Sequence, residues 1–224
     1  GDVYKRQEIE IVNPQAIEKR SFEIIEEELK ERGIVLPEKE VPITKRVIHT
    51  SADFSYAETM TYSPGAIEQA LELIKGGAHI VTDTNMAKAG INKKTLARLG
   101  GQVHCFMADE AVAKEAKKRG VTRAVVSMET AARLPGPVIF AIGNAPTALI
   151  ELHEMIEQGA YVPAFIIGVP VGFVNVEAAK ELFLDGDVPY IINRGRKGGS
   201  NIAAAICNAL LYLCLLYTSD AADE

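Results

Sequence analysis

From residue 78 onward the chain repeats one pattern: an apolar run, a loop of glycine and polar residues, and a segment with helical periodicity. The apolar runs predict buried strands at residues 78–84, 101–106, 137–142, 163–168 and 188–192. Helices are predicted at residues 109–119, 122–133, 175–184 and 201–213, with one more ending near residue 158. Strands that alternate with helices predict an α/β fold of three layers (α/β/α), in which a mostly parallel sheet lies between two layers of helices.

The first third of the chain is predicted to be helical. Asn13 and Pro14 suit the cap and first turn of a helix that runs to about Arg32. A second helix, over residues 37–48, leads into His49, and a third begins at residues 63–64 and ends at a glycine pair. The polar residues near the middle of the first helix, Arg20 and Ser21 among them, read most simply as a solvated face.

Composition narrows the class of protein. The 224 residues include 48% hydrophobic and 24% charged residues, which is typical of a globular enzyme, and the formal net charge is −6. An acidic chain is a poor candidate for binding nucleic acid or an anionic membrane. No apolar run is expected to be long enough to cross a membrane. The three cysteines form no CxxC pair and the histidines no metal-ligand spacing, so we expect buried reduced thiols in a cytoplasmic protein without a metal site.

Both ends of the chain look foreign to the rest. Residues 1–7 and 215–224 resemble translated adapter sequence, and we expect both to be non-native tails. One domain is therefore expected over residues 8–214.

His49 is the first candidate for chemistry. An apolar pair precedes it and a run of small and polar residues follows it. Arg46 lies three positions before it. An imidazole can give and take a proton near neutrality, and a guanidinium suits a carboxylate. The alternative is a histidine that forms hydrogen bonds and serves structure only.

Three loops follow predicted strands, where ligands bind in parallel sheets. The loop 194–200 carries Arg194, Lys197 and a third cation among three glycines, which predicts an anion site, although a solvated turn has the same composition. Asn144 follows the strand at 137–142 and could contact a ligand or only cap a helix. The loop 168–173 could admit a flat ligand or serve close packing. No Walker A, GxGxxG or GxSxG motif occurs, so residues alone do not name the reaction.

Five segments, taken in order, resemble the precorrin-8X (cobalt-precorrin-8) methylmutase family of corrin-ring biosynthesis. They are Lys19–Phe22, Arg46–His49, Gly143–Leu149, Gly168–Val174 and Arg194–Ser200. The resemblance implies a flavodoxin-like architecture and an isomerase that moves a methyl group from C11 to C12 of the macrocycle. It implies no cofactor, and a homodimer with the site near the interface.

The resemblance also implies roles for particular residues. His49 falls on the family's catalytic histidine, which donates and accepts a proton, and Ser21 and Arg46 fall on substrate contacts. Local chemistry adds further candidate contacts to the acidic corrinoid substrate: Arg20, Arg123, Asn144, Arg194 and Lys197. Two alternatives stay open from the residues. A non-catalytic tetrapyrrole carrier would need the cations but not His49, and an α/β enzyme acting on a phosphorylated metabolite would use loop 194–200 for phosphate.

Overall fold

The computed structural model describes residues 8–222, which divide into a first compact unit through Val35 and a second from Leu36. The first unit holds a short 3-10 helix, Pro14–Ala16, and helix α1, Ile17–Glu31. The side chain of Asn13 accepts the Gln15 N–H and so caps the 3-10 helix, whereas the N-cap of α1 is Ala16, which makes no side-chain bond. The expected non-native tail at residues 1–7 lies outside the described residues, and the single domain over 8–214 stays a prediction.

The second unit alternates helices with strands. Its helices are α2 (Val41–Ser51), α3 (Tyr56–Thr59), α4 (Ala66–Lys75), α5 (Asn85–Gly90), α6 (Lys93–Arg98), α7 (Glu110–Arg119), α8 (Arg123–Ala131), α9 (Pro146–Glu157), α10 (Val176–Glu181) and α11 (Ser200–Ala222). Its strands are β1 (Met60–Tyr62), β2 (His79–Thr82), β3 (Val103–His104), β4 (Val138–Ile142), β5 (Phe165–Gly168) and β6 (Tyr190–Asn193).

The six strands form one sheet in the order β1-β6-β5-β4-β2-β3. β1 pairs antiparallel with β6 at one edge, and the other five strands are parallel. Numbered along the chain, those five strands have the order 2-1-3-4-5 of flavodoxin-like sheets, so the predicted fold class is confirmed. The order reverses between β2 and β4, which makes the carboxyl ends of these two strands the topological switch point.

Helices cover both faces of the sheet, and the core lies between them. On one face the side chains of Val81, Phe140 and Ile166 are buried with residues of α8, α9 and α10. On the other face α11 packs against β4 and β5 and against α2, α4 and α5. Because β4 and β5 are fully buried, their sequences are continuously apolar and do not alternate.

Helix α11 tests the membrane prediction. By length and composition, Ser200–Tyr217 is long and apolar enough to cross a bilayer, so the expectation that no run of this kind occurs is wrong. Most of that stretch is buried in the protein, as in the core helix of a soluble fold. The expected non-native segment at 215–224 continues α11 as far as Ala222.

Several elements differ from the sequence prediction. The elements α3, β1, α5 and α6 are absent from it, because each is short and has no sustained periodicity. α2 begins at Val41, four residues later than expected, with Pro42 in its first turn, and it runs beyond His49. The strand at 101–106 shrinks to two residues. Helix α11 runs to Ala222, nine residues beyond its expected end, and the remaining predicted strands and helices are found within a few residues of their expected ends.

Candidate active site

His49 lies in the last turn of α2 and not after the helix. Ile43, Val47 and Ile48 bury one face of α2, which leaves His49 on the solvent side and Arg46 half-buried one turn earlier. Ala52 ends the helix in the left-handed conformation at φ 55°, and its N–H donates to the Ile48 carbonyl over 2.7 Å. The protein therefore presents an exposed imidazole at a helix end whose backbone is fixed.

The basic loop 194–199 joins β6 to the first turn of α11. Close packing requires glycine here, since a Cβ on Gly198 would lie 2.1 Å from the Val169 carbonyl oxygen. The Gly199 N–H donates to that same oxygen over 2.9 Å. Ser200 opens α11, and its hydroxyl lies 2.7 Å from the hydroxyl of Thr84, the N-cap of α5 two residues after β2. The predicted position of this loop, at a helix N-terminus beside other strand ends, is confirmed.

Lys197 connects this loop to the helix end that carries His49. Its Nζ lies 2.6 Å from Oδ2 of Asp53 and 3.1 Å from the Ser55 hydroxyl. The hydrogen bonds that Asp53 accepts from Lys197 and from Ser55 lower the pKa of its carboxyl to about 2, with Lys197 as the larger cause. The structure thus brings together two of the predicted site segments, which lie 144 positions apart along the chain.

A second connection is buried beneath the first. Asn193, the last residue of β6, accepts a hydrogen bond from the Thr59 hydroxyl over 2.6 Å. Its amide nitrogen donates to the Lys197 carbonyl over 2.9 Å. The junction of α3 and edge strand β1 is therefore tied to the base of the basic loop.

Carboxylates accompany the cations of the loop. Arg194 binds Glu181 of α10 at 3.1 Å, and Arg196 lies 3.8 Å from Glu177 of the same helix. The Arg196 guanidinium also lies 5.2 Å from the ring centroid of Phe173, which is 79% exposed. Exposed ion pairs of this kind are weak, so these side chains can exchange their partners for an incoming carboxylate at little cost.

The switch point of the sheet is filled by the protein itself. The buried carboxylate of Asp83, directly after β2, accepts the N–H groups of Gly143 and Asn144 at 2.9 Å each and of Ala145 at 2.6 Å. Burial raises the pKa of Asp83, and the three N–H donors oppose that shift. An internal anion therefore occupies the backbone nest in which such folds commonly bind a phosphate.

This arrangement contradicts the alternative that Asn144 only caps a helix. The N-cap of α9 is Ala145, and α9 has no side-chain cap bond. The Asn144 side chain is exposed, and the residue contributes its N–H to Asp83. It does not cap the helix, and its contact with substrate stays a prediction.

Three candidates remain: Arg123, Ser21 and Arg20. Arg123 is the first residue of α8 and lines a shallow cavity of about 370 Å³ with Lys114 and Lys117 of α7. In the first unit, the Ser21 hydroxyl donates to the Ile17 carbonyl over 3.0 Å, and Arg20 pairs with Glu10 at 2.5 Å.

Sequence reasoning missed four polar residues that build the site. Three of them, Asp83, Lys180 and Asn193, are buried, and the fourth is Asp53. Asp83 and Asn193 directly follow or end an apolar strand, which was the available signal. Among residues 8–217, no cluster of three or more His, Cys, Asp or Glu side chains is arranged to hold a metal ion.

Comparison with known proteins agrees with the family resemblance seen in the sequence. A family model described as precorrin-8X methylmutase matches residues 16–213. The cobalt-precorrin-8 methylmutase of Priestia megaterium is 43% identical over 202 residues, covering 90% of this chain and 89% of the relative. That of Salmonella typhimurium is 42% identical over 209 residues, covering 90% and 96%.

A solved structure agrees with these matches. The crystal structure of a precorrin-8X methylmutase from Thermus thermophilus superposes with a TM-score of 0.80 at 38% identity, covering 90% of this chain and 98% of that one. The range matched by the family model contains every candidate site residue, from Arg20 to Lys197.

Proposed function

Since the chain belongs to the precorrin-8X methylmutase family, we propose that His49 is its acid/base residue and that Arg46 and the basic loop bind its substrate. The protein is an isomerase of cobalamin biosynthesis, and its reaction moves one methyl group on the ring of precorrin-8X or cobalt-precorrin-8. The product is hydrogenobyrinate, or cobyrinate when cobalt is bound.

One observation supports the placement of the site: the 2.6 Å contact between Lys197 and Asp53. It joins the loop that carries three cations to the turn that follows His49. A proton donor and a carboxylate-binding surface therefore lie on adjoining segments, as an acidic tetrapyrrole requires. The two rival functions lose support, since the family model and the curated relatives are methylmutases and neither carriers nor enzymes of phosphorylated metabolites.

The chemistry follows from an exposed imidazole beside cations. His49 donates its proton to the conjugated ring system, which draws electron density away from the bond between C11 and the methyl group. That bond breaks as the bond to C12 forms, and the proton returns to His49. Substrate and product have the same atoms, so the step needs no external reductant, oxidant or methyl donor.

Arg46 lies one turn before His49, on the same side of α2, and we assign it a substrate carboxylate. Arg194, Lys197, Asn144 and Arg123 are proposed as further contacts. A contact from Ser21 rests on the family resemblance, and one from Arg20 rests on its charge and its position beside Ser21. A cytoplasmic homodimer is proposed on the same ground, and light scattering should give a mass twice that of the chain.

The test is an absorbance titration with hydrogenobyrinic acid and its cobalt counterpart, because corrin bands shift when the surroundings of the ring change. We expect saturable shifts for the wild type. His49→Gln should lower turnover by about 100-fold or more while affinity stays within about threefold of the wild type. The matched control is His153→Gln on α9, where the imidazole lies beside Glu157 at 3.6 Å. Unchanged turnover in His49→Gln would remove the role given to His49.

A further inference from the structure

Lys180 is a buried cation that the chemistry above does not use. It lies near the end of α10, and its side chain has no exposed surface. Burial lowers its pKa to about 8, and Glu177 opposes that shift. A buried ammonium is costly unless its protons are satisfied, so its two acceptors indicate what it does.

Both acceptors are main-chain oxygens of the basic loop. Nζ donates to the Gly195 carbonyl over 2.7 Å and to the Lys197 carbonyl over 3.0 Å. The carbonyl between them, that of Arg196, accepts the Gly172 N–H over 3.1 Å. Three consecutive carbonyls of the loop therefore bind donors that belong to the body of the protein.

This anchoring determines what the loop presents to solvent. Because the carbonyls at 195–197 are held by the protein body, the loop backbone is fixed while the side chains of Arg194, Arg196 and Lys197 remain largely exposed. Three like charges within four residues repel one another, and the loop contains glycines that would otherwise let it rearrange. A donor that spans two of the three carbonyls counters both tendencies.

We propose that Lys180 is a positioning residue of the methylmutase: it holds loop 194–199 in the conformation that receives the carboxylates of the corrinoid. The inference rests on the proposed function of the loop. It assigns Lys180 no contact with substrate and no part in proton transfer, so its loss should act on binding and not on the chemical step.

The decisive variant is Lys180→Met, which keeps an unbranched apolar chain in the buried space and removes the donor. We expect KM for the substrate and the dissociation constant for hydrogenobyrinic acid to rise by about tenfold or more, because two charge-assisted hydrogen bonds are lost. The value of kcat should stay within about twofold of the wild type. Lys118→Met on α7 removes the same charge from an exposed position and controls for net charge. It should match the wild type in both quantities.

A second readout reports on the loop directly. The Gly172 and Gly199 N–H groups donate to the Arg196 and Val169 carbonyls, so their hydrogen exchange reports whether the loop is closed. In Lys180→Met these two amides should exchange faster, while amides of β4 keep their wild-type protection.

The possible results distinguish a failure of the inference from a failure of the proposed function. Wild-type KM and wild-type exchange in a folded Lys180→Met protein would overturn the inference, and so would a lower kcat at unchanged KM. If Lys180→Met does not fold, Lys180→Gln takes its place, because the glutamine amide can reach one of the two carbonyls. An affinity for hydrogenobyrinic acid equal to that of the wild type would again overturn the inference. Failure of the wild type itself to bind corrin would refute the proposed function of the loop and not the anchoring, which exchange measures without ligand.

Discussion

Asp83→Ala should destabilise the protein strongly, and the structure gives the size of the effect. The carboxylate accepts three N–H groups, and that of Gly143 is buried. A buried N–H without a partner costs about 1–3 kcal/mol, and the two partly exposed ones about 0.5–1.5 kcal/mol each. The total is about 2–6 kcal/mol, a large fraction of the stability of an ordinary domain. Asp83→Asn keeps one acceptor oxygen and should lose about half as much.

The assay is urea unfolding followed by far-UV circular dichroism, with the free energy of unfolding compared at equal slope. Asp109→Ala is the matched control: Asp109 also precedes a helix, α7, but it is exposed and makes no cap bond. Its replacement should cost no more than about 0.5 kcal/mol. A loss of less than about 1 kcal/mol in Asp83→Ala would show that water satisfies the three N–H groups, and the reasoning would fail.

Three further outcomes are expected. Arg46→Ala should weaken corrin binding by roughly 2–5 kcal/mol in the titration, and wild-type affinity would remove Arg46 from the site. Gly198→Ala should cost about 2 kcal/mol or more of stability because its Cβ meets the Val169 carbonyl, whereas Gly186→Ala, with only ordinary contacts, should cost under about 0.5 kcal/mol. Asp53→Asn should cost less than about 1 kcal/mol near pH 6, since the pair is partly exposed. Because folding lowers the Asp53 pKa from 3.8 to about 2, this difference from the wild type should shrink as pH falls below about 4, and a difference at pH 2 as large as that at pH 6 would contradict the assignment.

The parallel part of the sheet could be predicted because its strands are buried on both faces. The run at 137–142 has no polar interruption, and the structure places all five residues of β4 in the core. β1 could not be predicted in this way. It has three residues and mixed polarity, and its pairing with Asn193 and its neighbours depends on chain 130 positions away.

The features of the candidate site also divide into those that the sequence can predict and those that it cannot. His49 and the basic loop are visible in sequence because their residue types carry chemistry wherever they lie. The bond between Lys197 and Asp53 is not visible, since nothing in either segment specifies the other. Lys180 sits in an ordinary amphipathic helix, and only the fold shows that its side chain points inward to two carbonyls.

The position of α11 bears on how the protein is made. This helix is the last element of the described chain, yet it packs against β4, β5 and three other helices, and a Cβ on Gly143 would lie 2.7 Å from the Gly199 carbonyl just before it. A ribosome releases the sheet first, and strands β4 and β5 lack the cover of α11 on one face until this helix emerges. Docking of α11 also sets the final geometry of the loop that leads into it. Packing of α11 therefore couples closure of the core over β4 and β5 to formation of the candidate substrate loop.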